Sequence, residues 1–285
     1  GAKRMKLSDL AKATHSVQKD ANHAILIYGD SKTGKTQFVG TAATIPELER
    51  IFWVDIENGS DTLLHMGLTD EQMAKIELIK IPDTRETPRG CETILKMMSS
   101  KTDILICEEH GKVACLECQK EKKPEIAFNL RSLTNKDLVV IDSGSQLGDS
   151  ALAMACAGKP VEYKAQTDDW GTMGKYLGDI LGVIQQAAFT NFVVITHTLV
   201  VEEEINGVKR DKIFPLIGTK NFCAKCAKYF GTVIFLELKL GKHAGGSAST
   251  YKPNHITGSR LNVAIEKKQG ATMRDILIDG GIIKP

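Results

Sequence analysis

The 285-residue sequence has no apolar run approaching the roughly 18 residues needed to span a bilayer, which argues against a membrane partner. It has little net charge either. With 37 Lys and Arg against 35 Asp and Glu the formal charge is +2, so any nucleic-acid surface must be a local patch rather than a global field. The opening stretch GAKRMKLSDLAKATH carries charge with no hydrophobic segment after it, so it does not read as a signal peptide. There is no internal repeat and no low-complexity segment. Disulfides are not expected: the cysteine count of 7 is odd, and four of them fall in two C-x-x-C pairs. That pattern points to metal binding in a reducing cytoplasm.

What is present is a hydrophobic content of 42%, ordinary for a globular core, in a length that suits one large α/β domain over residues 1–285. Apolar strand-like runs stand at 24–28, 51–56, 76–81, 137–142, 191–196 and 232–238. Helical patterns stand between them at about 34–44, 70–75, 87–99 and 171–189. The alternation predicts a mostly parallel sheet. Two stretches interrupt it: 101–136, rich in Cys and Lys, and 143–170, which reads as irregular. The tail from 241 to 285 reads as short hairpins.

After the first strand comes GDSKTGKT, residues 29–36, which matches G-x-x-x-x-G-K-[ST] at every fixed position. Such a loop, comprising Gly29, Asp30, Ser31, Lys32, Thr33, Gly34, Lys35 and Thr36, turns its backbone N–H groups toward phosphate oxygens at a helix N-terminus. Lys35 supplies a point charge for the β- and γ-phosphates, and the Thr36 hydroxyl a ligand for Mg2+. The strand and helix that flank the loop supply its required context, so a nucleoside triphosphate, ATP, is the expected ligand. Asp142 closes the apolar run DLVVID, where a carboxylate would complete the Mg2+ shell. Asp55 and Glu57 close another strand. A carboxylate leaving the C-terminal end of a sheet strand points into the ligand crevice and can activate water. Glu57 lies further out than Asp55 and is the better candidate.

The interrupting segment holds CEEHGKVACLEC, with Cys107, His110, Cys115 and Cys118 spaced C-x2-H-x4-C-x2-C. Three thiolates and one imidazole make a closed tetrahedral Zn2+ set, hence a structural knuckle within 101–136. A competing set would join Cys115 and Cys118 to Cys223 and Cys226 of NFCAKCAKYF.

The order of the phosphate loop, VDIENGSDTL, LVVIDSGSQL, FVVITHT and KYFGTVIFLELKLG resembles the RecA-like recombinase core. It is most similar to the core-only RecA-type ATPases of bacteriophages that assist single-strand annealing. The likeness covers roughly residues 22 to 270, leaving out the 101–136 insertion. The resemblance implies that Glu57 activates the attacking water. It also implies that His197, where the family usually has Gln, senses the γ-phosphate. The loops 143–170 and 198–221 would line a single-stranded DNA path, with Lys209, Arg210 and Lys220 as contacts; Glu202, Glu203 and Glu204 face that cluster and allow plain cross-strand pairing instead. Lys267 and Lys268, with Arg260 in reserve, match the basic residues that reach a neighbouring subunit's nucleotide. The expected protein is thus an Mg2+- and ATP-dependent recombination ATPase, a homo-oligomer (filament or ring) on single-stranded DNA in a bacterial cytoplasm. A single-stranded-DNA-binding protein is a further expected partner. A ring helicase or DNA motor, a small-molecule kinase with a zinc-bearing lid, and a nucleotide-switched scaffold are the alternatives.

Overall fold

The structure is a computed structural model and describes residues 23–283 apart from 161, 188, 206, 250, 262, 264 and 269. The first 22 residues of the expected 1–285 domain lie outside the described residues.

Among the described residues, the strands in chain order are β1 (Ala24–Tyr28), β2 (Arg50–Asp55), β3 (Ile76–Lys80), β4 (Ile104–Cys107), β5 (Glu125–Phe128), β6 (Asp137–Asp142), β7 (Asn191–Thr196), β8 (Thr198–Ile205), β9 (Val208–Pro215), β10 (Thr232–Lys239), β11 (Lys242–Gly246) and β12 (Gly258–Ser259). The main sheet runs β11-β10-β1-β7-β6-β2-β3, with β12 also on β10. Every pairing from β10 across to β3 is parallel, whereas β11 and β12 join β10 antiparallel.

The central strands are apolar on both faces because each face is covered. Leu26 and Tyr28 of β1 point into one core with Phe52, Val139, Phe192 and Phe235. Ile25 and Ile27, one residue out of phase, enter the other with Trp53, Val140, Val193 and Leu236. The first core is closed by α2 (Arg89–Ser99), α4 (Gly144–Ala155) and α5 (Thr167–Gln186). The second is closed by α1 (Lys35–Gly40), the turn Thr41–Thr44 and α6 (Met273–Leu277). The sequence-based strands hold to within a residue or two.

The 143–170 segment, expected to be irregular, contains α4 and the first turn of α5. Helix α4 starts on a cap in which the Ser143 hydroxyl accepts from Gln146 N–H. Its glycines and serines weaken the helical signal, but Leu147 and Ala151 one turn apart still bury a stripe. The expected helix at 171–189 begins earlier, at a Gln166–Asp169 capping box. The tail is not all hairpin: β11 pairs with β10, but α6 follows behind a Thr272–Asp275 capping box.

Two hairpins stand off the sheet. β8–β9 pairs along its whole length, and β4–β5 brackets α3 (Leu116–Glu121).

Candidate nucleotide site and metal centre

The parallel register decides what meets at the C-terminal edge of the sheet. Asp55 stands opposite Asp142, and the Ile56 and Glu57 N–H groups both reach the Asp142 carbonyl, at 2.7 and 3.4 Å. Glu57 is thereby carried over to the phosphate loop that leaves β1. A cleft of about 290 Å3 opens there, lined among others by Lys35, Thr36, Glu57, Asp142, Ser143 and His197. Of the expected residues, Lys32, Gly34, Lys35, Thr36, Glu57, Asp142 and His197 line it together.

Lys35 is buried, and its Nζ donates to the carbonyls of Gly29 at 2.9 Å and Asp30 at 2.7 Å. Burial lowers its pKa, while Glu57, Asp142 and Asp30 pull the other way. The Thr36 hydroxyl donates to Asp142 Oδ2 at 3.0 Å. Asp142 is 3% exposed; burial pushes its carboxyl up to about 7, against the pull of the Thr36 hydroxyl and with the push of Asp55 and Glu57. A buried carboxylate this costly to ionise, next to a hydroxyl, is a pair that a divalent cation suits, so the residues fit Mg2+. Asp55 has a different task. It accepts from Gly59 and Ser60 N–H and fixes the turn that carries Glu57.

His197 lies between the loop and Glu57. Its Nδ1 is 3.4 Å from both Ser31 Oγ and Lys35 Nζ, and its Nε2 is 2.8 Å from Glu57 Oε1. An ammonium can only donate, so Nδ1 accepts, and the ring proton is assigned to Nε2, facing Glu57. That hydrogen bond is the main reason the Glu57 carboxyl is held below the usual carboxylate range, although burial opposes it. Sequence reasoning missed the supports of His197. Its N–H donates to Ser145 Oγ at 3.1 Å, and Ser145 also meets Thr196 Oγ1. Thr198 Oγ1 donates to Asp30 Oδ1 at 2.6 Å, tying the base of the β8–β9 hairpin to the phosphate loop. The hydroxyls in SGS and THT were the available signal.

The expected DNA contacts lie apart from this cleft. Lys209 pairs with Glu202 at 2.8 Å, Arg210 stands in register with Glu203, and Lys220 opens the turn Lys220–Cys223 on the surface. Lys268 is paired within its own chain to Asp275 and Asp279. Lys267 ends the turn Ile265–Lys267, and its side chain lies outside the described residues.

The second cluster is metal-like. The ligand atoms of Cys107, His110, Cys115 and Cys118 all lie within 4.8 Å of one another. Tetrahedral Zn–S bonds of about 2.3 Å place ligand atoms roughly 3.8 Å apart, so the set fits Zn2+. The Cys118 backbone holds the Cys115 thiol down at about 7, in the direction of thiolate. Gly111 lets the knuckle sit on the main sheet. Its φ is 58°, and a Cβ there would fall 2.6 Å from Ile81 Cα. Cys223 and Cys226 are not part of the set: both are buried, and their thiols bond to the backbone around Ile217 and to Cys223 O.

Among known proteins, the AAA domain family matches residues 21–261. No curated protein matches the chain. Among solved structures it is similar to an ATPase from the type III secretion system of pathogenic bacteria, at 12% identity and TM-score 0.46, over 82% of this chain and 56% of that one. It is similar too to EscN of enteropathogenic E. coli, solved with its central stalk EscO, at 10% identity and TM-score 0.45, over 87% of this chain and 50% of that one. The chain thus spans about half the length of these solved chains. With the family match covering most of its length and the phosphate loop, Asp142 and Glu57 in one cleft, the chain belongs to the AAA domain family and is a P-loop ATPase.

Proposed function

We propose that this ATPase is a RecA-like recombination ATPase of bacteriophage type, assembling as a homo-oligomer on single-stranded DNA in a bacterial cytoplasm. The supporting observation is a stretch without acid. From Lys212 to Leu236 there is no Asp or Glu. Within it Lys220, Lys225 and Lys228 are exposed and take part in no ion pair among the described residues. Beside them the partly exposed rings of Phe222 and Tyr229 stack at 6.3 Å with 19° between planes. Free cations interleaved with aromatic faces are what a single strand uses, phosphates on one and bases on the other. The hairpin cations Lys209 and Arg210 are balanced by Glu202 and Glu203, so Lys220 and its two neighbours carry more of the reading.

In the cleft, Lys35 binds the β- and γ-phosphates, and Thr36 with Asp142 would hold Mg2+, which would supply positive charge against the transferred phosphoryl group. Glu57 orients the attacking water and accepts its proton. His197 has one Nε2 proton, and a γ-phosphate oxygen competes with Glu57 for it. When the phosphate takes it, Glu57 regains basicity. A cation from a neighbouring copy, with Lys267 and Lys268 as candidates, completes the charge set. The 101–136 segment is a structural zinc insertion within one ATPase domain.

Turnover of ATP with and without a homopolymeric single strand, at low and high salt, tests the reading. Stimulation that fades as salt rises supports it. Absence of any strand binding at low salt overturns it, and processive unwinding of a tailed duplex would make the protein a helicase instead.

A further inference from the structure

His243 on β11 has no place in the chemistry above, yet it touches the phosphate loop. Its Nε2 is buried and lacks a well-directed hydrogen-bond partner. A Cβ built on Gly34 would lie 2.5 Å from that nitrogen, so the imidazole fills the space that any side chain at residue 34 would need. Gly34 has a φ of 73°, a left-handed conformation that also favours glycine. The ring edge packs on Phe38 of α1, with centroids 5.6 Å apart. On its other side the His243 carbonyl accepts from the N–H groups of Gly270 and Ala271, at 3.1 and 3.3 Å. The same C-terminal segment returns to the loop's helix a second time, where Met273 N–H donates to Thr41 Oγ1 at 2.9 Å.

A buried nitrogen whose only neighbour of hydrogen-bonding type, the Gly34 backbone, is poorly aligned is costly, and such atoms persist where a function uses them. We propose that His243 is a positioning residue for the phosphate loop: it holds the Gly34–Lys35 backbone for nucleotide and ties that backbone to the segment 270–273. The inference rests on the loop as a nucleotide site and is independent of DNA. The Gly34 carbonyl, which also accepts from Phe38 N–H at 2.8 Å, is the backbone group that Nε2–H meets, leaving the loop's own N–H groups free for phosphate. Burial disfavours the charged form of the His243 ring, against the opposite pull of the Gly34 backbone.

Glutamine places an amide nitrogen near the position of Nε2, whereas alanine places none. Titration of a fluorescent ATP analogue therefore separates the variants without requiring turnover. H243A is expected to weaken binding about tenfold, the scale of one lost hydrogen bond, with KM rising and kcat largely kept. H243Q should stay within about threefold of wild type. In wild type, nucleotide should slow hydrogen exchange at the Gly270 and Ala271 amides, and that protection should vanish in H243A. Wild-type affinity in H243A, or H243Q as weak as H243A, overturns the assignment. If H243A fails to fold, H243Q and the exchange data on wild type decide it. Wild-type protein that binds no nucleotide would instead bring down the loop assignment itself.

Discussion

At the scale of single residues, the cleft turns on where one imidazole proton sits. In the proposed mechanism, the carboxylate is a weak base while Nε2–H is on Glu57 and a stronger one once that hydrogen bond is drawn to phosphate. Glu57→Gln keeps the shape and loses the base. ATP binding should persist while hydrolysis falls about 10²-fold or more, the scale of a lost general base; near wild-type turnover would rule Glu57 out. Removing His197 acts on the same carboxyl in the opposite sense. Its hydrogen bond is the largest influence lowering the Glu57 pKa, so His197→Ala should let that pKa rise. The acid limb of the kcat/KM profile, which reports the free enzyme, should then shift to higher pH, which a pH–rate series in wild type and variant reads directly. A limb that stays in place would uncouple the two residues. Lys35, Thr36, Asp142 and Glu57 were legible in sequence because each sits at a fixed offset from a strand end. Ser145 and Thr198 left only the hydroxyls of SGS and THT as a signal, because their partners are set by strand register, and His243 left none, because it reaches the loop by a chain crossing.

At the scale of elements, the parallel strands were legible because burial on both faces makes them continuous apolar runs. Helix α4 was hidden, because Gly144, Gly148 and three serines from Ser143 to Ser150 lower its propensity while tertiary packing supplies its stability. The knuckle was visible through its ligands alone. It forms a small buried cluster of Cys107, Cys115 and Cys118, with little apolar material of its own. Ordering so short a segment costs more than that cluster returns, so metal is expected to provide the difference. Purified protein should carry one Zn2+ per chain by elemental analysis. Cys115→Ser should release it and loosen 101–136, while the sheet still binds ATP. Zinc kept in Cys115→Ser but lost in Cys223→Ser would defeat the ligand set. The acid-free stretch has its own test. Replacing Lys220, Lys225 and Lys228 with Ala should reduce the salt slope of single-strand binding by up to about 0.7 for each phosphate that is no longer neutralised, with ATP affinity unchanged. An unchanged slope would move the strand to another surface.

At the scale of the whole molecule, one sheet serves two cores, one on each face. The strand next to its edge strand β11 carries a charge lock. Glu237 on β10 meets Lys252 at 2.8 Å, Lys239 at 2.9 Å and the Tyr251 hydroxyl, joining the sheet to the segment that crosses it. Burial would raise the Glu237 pKa, but these three partners together outweigh it and hold the carboxyl down at about 2. In the unfolded chain a glutamate titrates near ~4.3. The folded value is the lower one, so the unfolded state binds the extra proton first. The contribution of Glu237 is therefore complete above about pH 4.3 and is lost as pH falls toward 2. Glu237→Gln should melt at a lower temperature than wild type near neutrality, because two lysines and a hydroxyl lose their anion. Its melting temperature should also fall less steeply than that of wild type between pH 4.5 and 2, since the titrating group is gone. Melting curves over that range in a single buffer series measure both quantities. Parallel curves for the two proteins would show that acid unfolds the molecule through other carboxyl groups and that this lock does not tie β10 to the segment that crosses it.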